Sequence, residues 1–178
     1  WAACLSEAAT ILASHNATSV ATQGTLSALS WTSTQDVKNN MSPIFLLGWA
    51  LSVSGGLVRL SCYRTLGRFF TFEVAVRPKH RLITTGPYAW VRHPSYTAGI
   101  TETAGNTICL FHSGSWVRES GVLGTRWGSA IACVLWIWDA YLVVSVCRRM
   151  PQEDQILRKH FGKQWDDWAT KVPYRLMP

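Results

Sequence analysis

The sequence predicts an all-α fold, a polytopic membrane helical bundle closed by a C-terminal amphipathic interfacial helix. Three observations carry that prediction. Residues 44–61 hold no ionisable side chain before Arg59, and residues 125–147 contain a single acid, Asp139; each run approaches the roughly 20 apolar residues that cross a bilayer core. Many of the 10 tryptophans among 178 residues sit at span ends or on the C-terminal segment, where amphipathic rings favour the headgroup level. Lys and Arg fall mainly within 59–92 and 148–171, the stretches that flank the runs. A hydrophobic fraction of 48% and a mean hydropathy of +0.07 suit either a soluble or an embedded chain, so the distribution decides.

Along the chain, residues 1–14 read as the end of an apolar helix, and the opening on Trp1 leads to the expectation of a longer chain with a segment upstream. No positively charged region precedes that stretch, which argues against a cleaved signal peptide. Residues 16–40, rich in Ser, Thr, Gln and Asn, form a linker. Two parts result: an N-terminal helix remnant with its polar linker over 1–43, and a core over 44–178. The core has spans at about 44–61, 96–111 and 125–147. The second is short and carries Glu102 and Asn106, so it packs against protein, tilts or breaks, away from lipid. Both basic blocks face the cytoplasm if the first span runs inward, the second outward and the third inward again.

Residues 148–178 form the cytoplasmic segment. Leu157, Phe161, Trp165 and Trp168 recur at helical spacing between charged residues, the pattern of a helix that lies in the interface. Pro151 occupies a position where a helix starts, with Glu153 and Asp154 in its first turn, where the positive end of the helix dipole favours acids. Gly162 breaks or bends it.

The net charge of +7 and pI of about 9.5 belong to blocks flanking spans, which makes a lipid bilayer the partner and excludes nucleic acid. Cys4, Cys62, Cys109, Cys133 and Cys147 are scattered and form no C-x-x-C pair. They are read as packing residues, and no metal is expected. Two sequons, at Asn16 and Asn40, are of a kind common by chance.

The chemistry concentrates in residues 82–99, LITTGPYAWVRHPSYTAG. Arg92-His93-Pro94 sits where an apolar run meets water, which points to an anionic or nucleotide-like ligand. Interfacial cations that snorkel to headgroups are the plain alternative. Tyr88, Trp90 and Tyr96 are equally open to a reading as interfacial aromatics.

Two separated blocks resemble the membrane-embedded isoprenylcysteine carboxyl methyltransferases. The first comprises Leu82-Ile83, Gly86, Tyr88 and Val91-Arg92-His93-Pro94-Ser95-Tyr96, with Ala98-Gly99 in place of a glycine one position earlier. The second comprises Arg149, Glu153-Asp154, Leu157, Phe161-Gly162, Trp165, Trp168 and Val172-Pro173, with Asp154 for Glu and Trp for Tyr as departures. The resemblance implies methyl transfer from S-adenosylmethionine to the C-terminal carboxylate of a prenylated cysteine, in a multi-pass protein of the endoplasmic reticulum membrane whose active site faces the cytoplasm. Prenylated protein C-termini would be the partners.

By matching position, Arg149 binds substrate and is catalytic, with Arg92 as a second catalytic cation. The cofactor-binding set is Glu73, His80, Leu82, Ile83, Tyr88, His93, Pro94, Ser95, Tyr96 and Glu153, and Val172-Pro173 closes the pocket. Such a reaction needs alignment and desolvation more than a general base, since a carboxylate is already nucleophilic at neutral pH. A guanidinium fork suits the orienting task. A sterol-reductase-like membrane oxidoreductase, a phospholipid N-methyltransferase and a non-catalytic membrane fragment are the alternatives. Glu102 and Asp139 belong to neither block and are expected to hydrogen-bond within the bundle.

Overall fold

The computed structural model describes residues 42–70 and 81–177. The elements are α1 (Pro43–Leu66) with a 3₁₀ extension (Gly67–Phe69), a 3₁₀ turn (Gly86–Ala89), α2 (Pro94–Phe111), α3 (Trp116–Glu119), a 3₁₀ turn (Val122–Gly124), α4 (Arg126–Phe161) and α5 (Lys163–Lys171). Among the described residues there is no strand. The chain is an all-α membrane protein, with two helices long and apolar enough to cross a bilayer, Pro43–Phe69 and Arg126–Phe161. On α4, Trp127, Ile131, Val134 and Ile137 are each more than half exposed, a surface that suits lipid. The 18-residue α2, expected as a short span, is not among these long apolar helices.

The chain divides into two compact units. One holds residues up to Leu51 together with Ala104–Trp138. In it Ser42 starts α1 as an N-cap, its Oγ accepting from Phe45 N at 3.1 Å, and Pro43 follows at the first helical position, where no N–H is needed. A Cβ on Gly48 would lie 2.9 Å from Gly105 O and from Cys109 Sγ, so glycine permits close helix contact there. Ser115 caps α3 through Arg118 N, and Thr125 Oγ1 accepts from Gly128 N to begin α4.

The other unit holds Ser52–Thr103 and Asp139–Pro178. Here a Cβ on Gly55 would lie 2.7 Å from Ala98 O and 2.8 Å from Glu102 N. The helix contact therefore draws its space from Gly55, which accounts physically for the tolerance of Ala98, itself 3% exposed. Glu102 pairs with Arg59 at 3.4 Å, which gives that acid the bundle partner expected of it. Asp139 is half-buried and likewise has partners.

Pro151 departs from expectation, because it lies inside α4 and starts no helix. Proline there cannot donate one backbone hydrogen bond, but contacts on both sides, from Arg149 to Asp154, keep the flanking turns in place. The helix ends instead at Gly162, whose φ of 53° and ψ of −123° belong to a region that side chains other than hydrogen avoid. The break lets α5 fold back. Trp165, Trp168 and Val172 then form a small core with Leu82, Tyr88, Leu157 and Phe161, while Lys163, Gln164, Asp167 and Lys171 stay exposed. The periodic apolar face read from sequence is real, and it packs on the 82–88 loop.

Glu73, His80, Cys4, both sequons and the 1–41 part of the N-terminal remnant and linker lie outside the described residues.

Candidate active site

The site belongs to the unit built from Ser52–Thr103 and Asp139–Pro178. Its first wall is the loop leading into α2. Gly86 turns the chain at φ 61°, Pro87 opens the 3₁₀ turn, and Trp168 Nε1 donates to Tyr88 O at 3.2 Å, tying α5 to the loop. The Tyr88 phenol lies near Cys62, which is 0% exposed. Burial, with the nearby Cys62 and Glu153, pushes this phenol well above the ordinary tyrosine range, so it stays a neutral donor.

The Arg92-His93-Pro94 triplet follows. Pro94 is buried at the head of α2, and the two preceding amides are satisfied by the C-terminal strap, residues 172–177. Arg92 N donates to Tyr174 O and His93 N to Arg175 O, both at 3.0 Å, and Thr97 Oγ1 donates to Leu176 O at 2.6 Å. The strap thus supplies acceptors that the orphan donors of a helix N-terminus require.

The side chains of the triplet converge on α4. Arg92 NH1 meets Asp154 Oδ2 at 3.3 Å, its NH2 donates to Pro173 O at 2.9 Å, and the guanidinium lies 5.7 Å from the Trp165 ring centroid. His93, 5% exposed, places Nε2 3.0 Å from Asp154 Oδ1. Arg175 Nε reaches Asp154 Oδ2 at 3.3 Å. One turn of α2 further on, Tyr96 donates its hydroxyl proton to Glu153 Oε2 at 2.7 Å and stacks on His93 at a centroid distance of 5.5 Å.

These groups border a cavity of about 360 Å³, within the range of small-molecule sites. Leu82, Ile83, Tyr88, Arg92, His93, Ser95, Tyr96, Arg149 and Glu153 all line it; Pro94 stands behind as the helix start. Arg149 and Glu153 are one turn apart on α4, so a cation and an acid face the cavity together. Phe69, Phe70, Ile100, Leu142 and Val146 supply an apolar portion. The arrangement suits a ligand with a charged end and an apolar body.

Beside the apolar lining, Arg59, Tyr63 and Asp154 were not read from sequence as site members. Arg59 and Tyr63 also line the cavity, with Arg59 Nε donating to Tyr63 OH at 2.6 Å. Arg59 did carry a signal, as the lone charge of an apolar run. Asp154 was readable as a helix-start charge and as a member of the second block, but not as a partner of Arg92 and His93, which lie 62 and 61 positions away. Among the described residues no group of three or more His, Cys, Asp or Glu side chains could hold a metal.

Fold and pocket together define a helical membrane protein with a cavity for an amphipathic, charged ligand. Residues 47–117 match the family model for isoprenylcysteine carboxyl methyltransferases. Protein-S-isoprenylcysteine O-methyltransferase B of Arabidopsis thaliana is 29% identical over 128 residues, covering 71% of this chain and 55% of that protein. A probable protein-S-isoprenylcysteine O-methyltransferase of Oryza sativa subsp. indica is 28% identical, covering 71% and 57%, and the Mus musculus protein-S-isoprenylcysteine O-methyltransferase is 26% identical, covering 71% and 38%. The chain spans about half the length of the first two relatives. No solved structure matches it significantly. Over these residues the chain is similar to the isoprenylcysteine carboxyl methyltransferase family.

Proposed function

We propose that the chain methylates the C-terminal carboxylate of a prenylated cysteine, with S-adenosylmethionine as donor. The observation that carries this reading is the pairing of Arg149 and Glu153 on one cavity wall with an apolar lining beside them. S-adenosylmethionine, when bound, supplies an electrophilic methyl group on a positively charged sulfur. The residues present fit it: Glu153 holds one oxygen on Tyr96, and a carboxylate has further acceptor sites for an amino group. Leu82, Ile83 and Tyr88 offer apolar and aromatic surface to a base, and Ser95 a hydroxyl. Glu73 and His80, in the adjoining part of the chain, complete the proposed set.

Arg149 holds the substrate carboxylate in a fixed orientation with its planar fork. The oxygen needs no general base, so the protein's contribution is alignment and exclusion of water. Leu142, Val146 and Leu157 exclude water, and the Phe69 and Phe70 side receives the prenyl chain. Arg92 is the second cation; with NH1 on Asp154 and NH2 on Pro173, it adds positive potential and holds the wall in place. Arg and Lys beside the spans orient the charged end of the cavity to the cytoplasm, and the resemblance to the family supports the endoplasmic reticulum membrane as the location.

The test is transfer of label from methyl-labelled S-adenosylmethionine to N-acetyl-S-farnesylcysteine in membranes containing the chain. Base-labile methyl ester is the expected product, and its absence with folded protein overturns the proposal.

A further inference from the structure

Asp154 is 5% exposed and does not line the cavity, yet it gathers the side chains of Arg92, His93 and Arg175. Its Oδ2 faces two guanidinium groups at 3.3 Å each, which hold the carboxylate in its charged, acceptor-only form. Its Oδ1 stands 3.0 Å from His93 Nε2. An ionised carboxylate cannot donate, so the proton of that contact belongs to Nε2. A neutral imidazole with its proton on Nε2 carries a lone pair on Nδ1. That atom lies 4.0 Å from Glu153 Oε2, the oxygen that also accepts from Tyr96.

We propose that Asp154 is a positioning residue which fixes His93 as the Nε2–H tautomer, so that His93 Nδ1 and the Glu153 carboxylate form a paired-acceptor seat for a cationic amino group. The proposal rests on the reading of this cavity as the methyl-donor site and names the end of the donor that binds here. In that tautomer Nδ1 and Glu153 Oε2, 4.0 Å apart, are two acceptors that an ammonium with three donors satisfies together. The other charged neighbours are consistent: Arg92 and Arg175 face Asp154, and Arg149 lies near the Tyr96 hydroxyl.

The substitution Asp154→Asn gives a specific reversal. The single side-chain oxygen of the amide faces the two guanidinium groups and its NH₂ faces His93 Nε2, which must then accept, so the ring proton moves to Nδ1. Loss of a carboxylate partner selecting the wrong tautomer is established chemistry for a histidine held in this way.

The test uses the full chain in lipid nanodiscs, labelled with ¹⁵N-histidine, at pH 8, where an ordinary imidazole is neutral; comparison with His93→Gln assigns the signal. The expected wild-type spectrum has a protonated Nε2 and an unprotonated Nδ1, and Asp154→Asn exchanges them. S-adenosylhomocysteine, which has the amino group, should bind Asp154→Asn about 10-fold more weakly, as expected for a lost charge-assisted hydrogen bond. 5′-Methylthioadenosine, which lacks that group, should change less than about 2-fold. A protonated Nδ1 in the wild type overturns the proposal, as does an unchanged tautomer in the variant or equal weakening of both ligands. If the variant does not fold, the wild-type spectrum still decides. Failure of folded wild type to bind S-adenosylhomocysteine overturns the donor-site reading instead, and the two failures are distinct.

Discussion

Tyr96 and Glu153, 57 residues apart in sequence, meet through a 2.7 Å hydrogen bond in which the phenol donates to Oε2. That bond joins the two sequence blocks at the cavity and orients the acid. Tyr96→Phe removes the donor while keeping the ring that stacks on His93. S-adenosylhomocysteine affinity, measured by calorimetry, should fall about 3- to 10-fold, in line with about 1 kcal/mol for a typical hydrogen bond. Unchanged affinity would mean that Glu153 is positioned by other contacts.

The cation and the acid of α4 should separate in their effects. Arg149→Ala is expected to lower kcat/KM for a farnesylated cysteine by about 100-fold or more and to leave donor binding within about 3-fold. Arg149→Lys should restore little, since a point charge does not reproduce the fork. Glu153→Ala should weaken donor binding itself. Equal loss of donor binding in the Arg149 and Glu153 variants would contradict the roles assigned to them.

Gly162 holds a backbone conformation closed to other residues. Gly162→Ala should cost about 1–3 kcal/mol and lower the midpoint of thermal unfolding in detergent. Because α5 carries Trp168 onto the Tyr88 loop, donor affinity should fall along with stability. A variant as stable as wild type would show that the turn has another accessible geometry.

Tyr88 sets an alkaline limit. Its folded phenol is raised above the ordinary range, chiefly by burial, so above about pH 10 the unfolded chain releases a proton that the folded chain keeps. Stability therefore falls as pH rises beyond that point and is fully present below it. Tyr88→Phe should flatten this decline in denaturation midpoints taken between about pH 9 and 11. A decline equally steep in the variant would assign it to other groups.

The two long apolar helices were legible because runs of about 20 residues with so few charges have few uses other than crossing a bilayer. The 82–96 and 149–173 blocks were legible because their residues are close in sequence, and an Arg and a Glu four apart share a helix face whatever surrounds them. The helix through Pro151 was not, since local rules make proline a start signal and only tertiary contacts carry a helix past it. Asp154 was likewise hidden: its neighbours Arg92, His93 and Arg175 come from other segments, and the strap that carries Arg175 shows no periodicity. Arg59 stood out as a charge in an apolar run, but its partner Glu102, 43 residues away, did not. In each case the missing information is a long-range pairing.

The most direct test offers one membrane preparation both kinds of acceptor, N-acetyl-S-farnesylcysteine with its free carboxylate and phosphatidylethanolamine with its amine, together with methyl-labelled S-adenosylmethionine. An arginine-lined site that orients a carboxylate should place the label in base-labile ester on the farnesylcysteine, with the Arg149→Ala protein transferring about 100-fold less. Label in base-stable N-methyl groups, or ester formation that survives loss of Arg149, would contradict it.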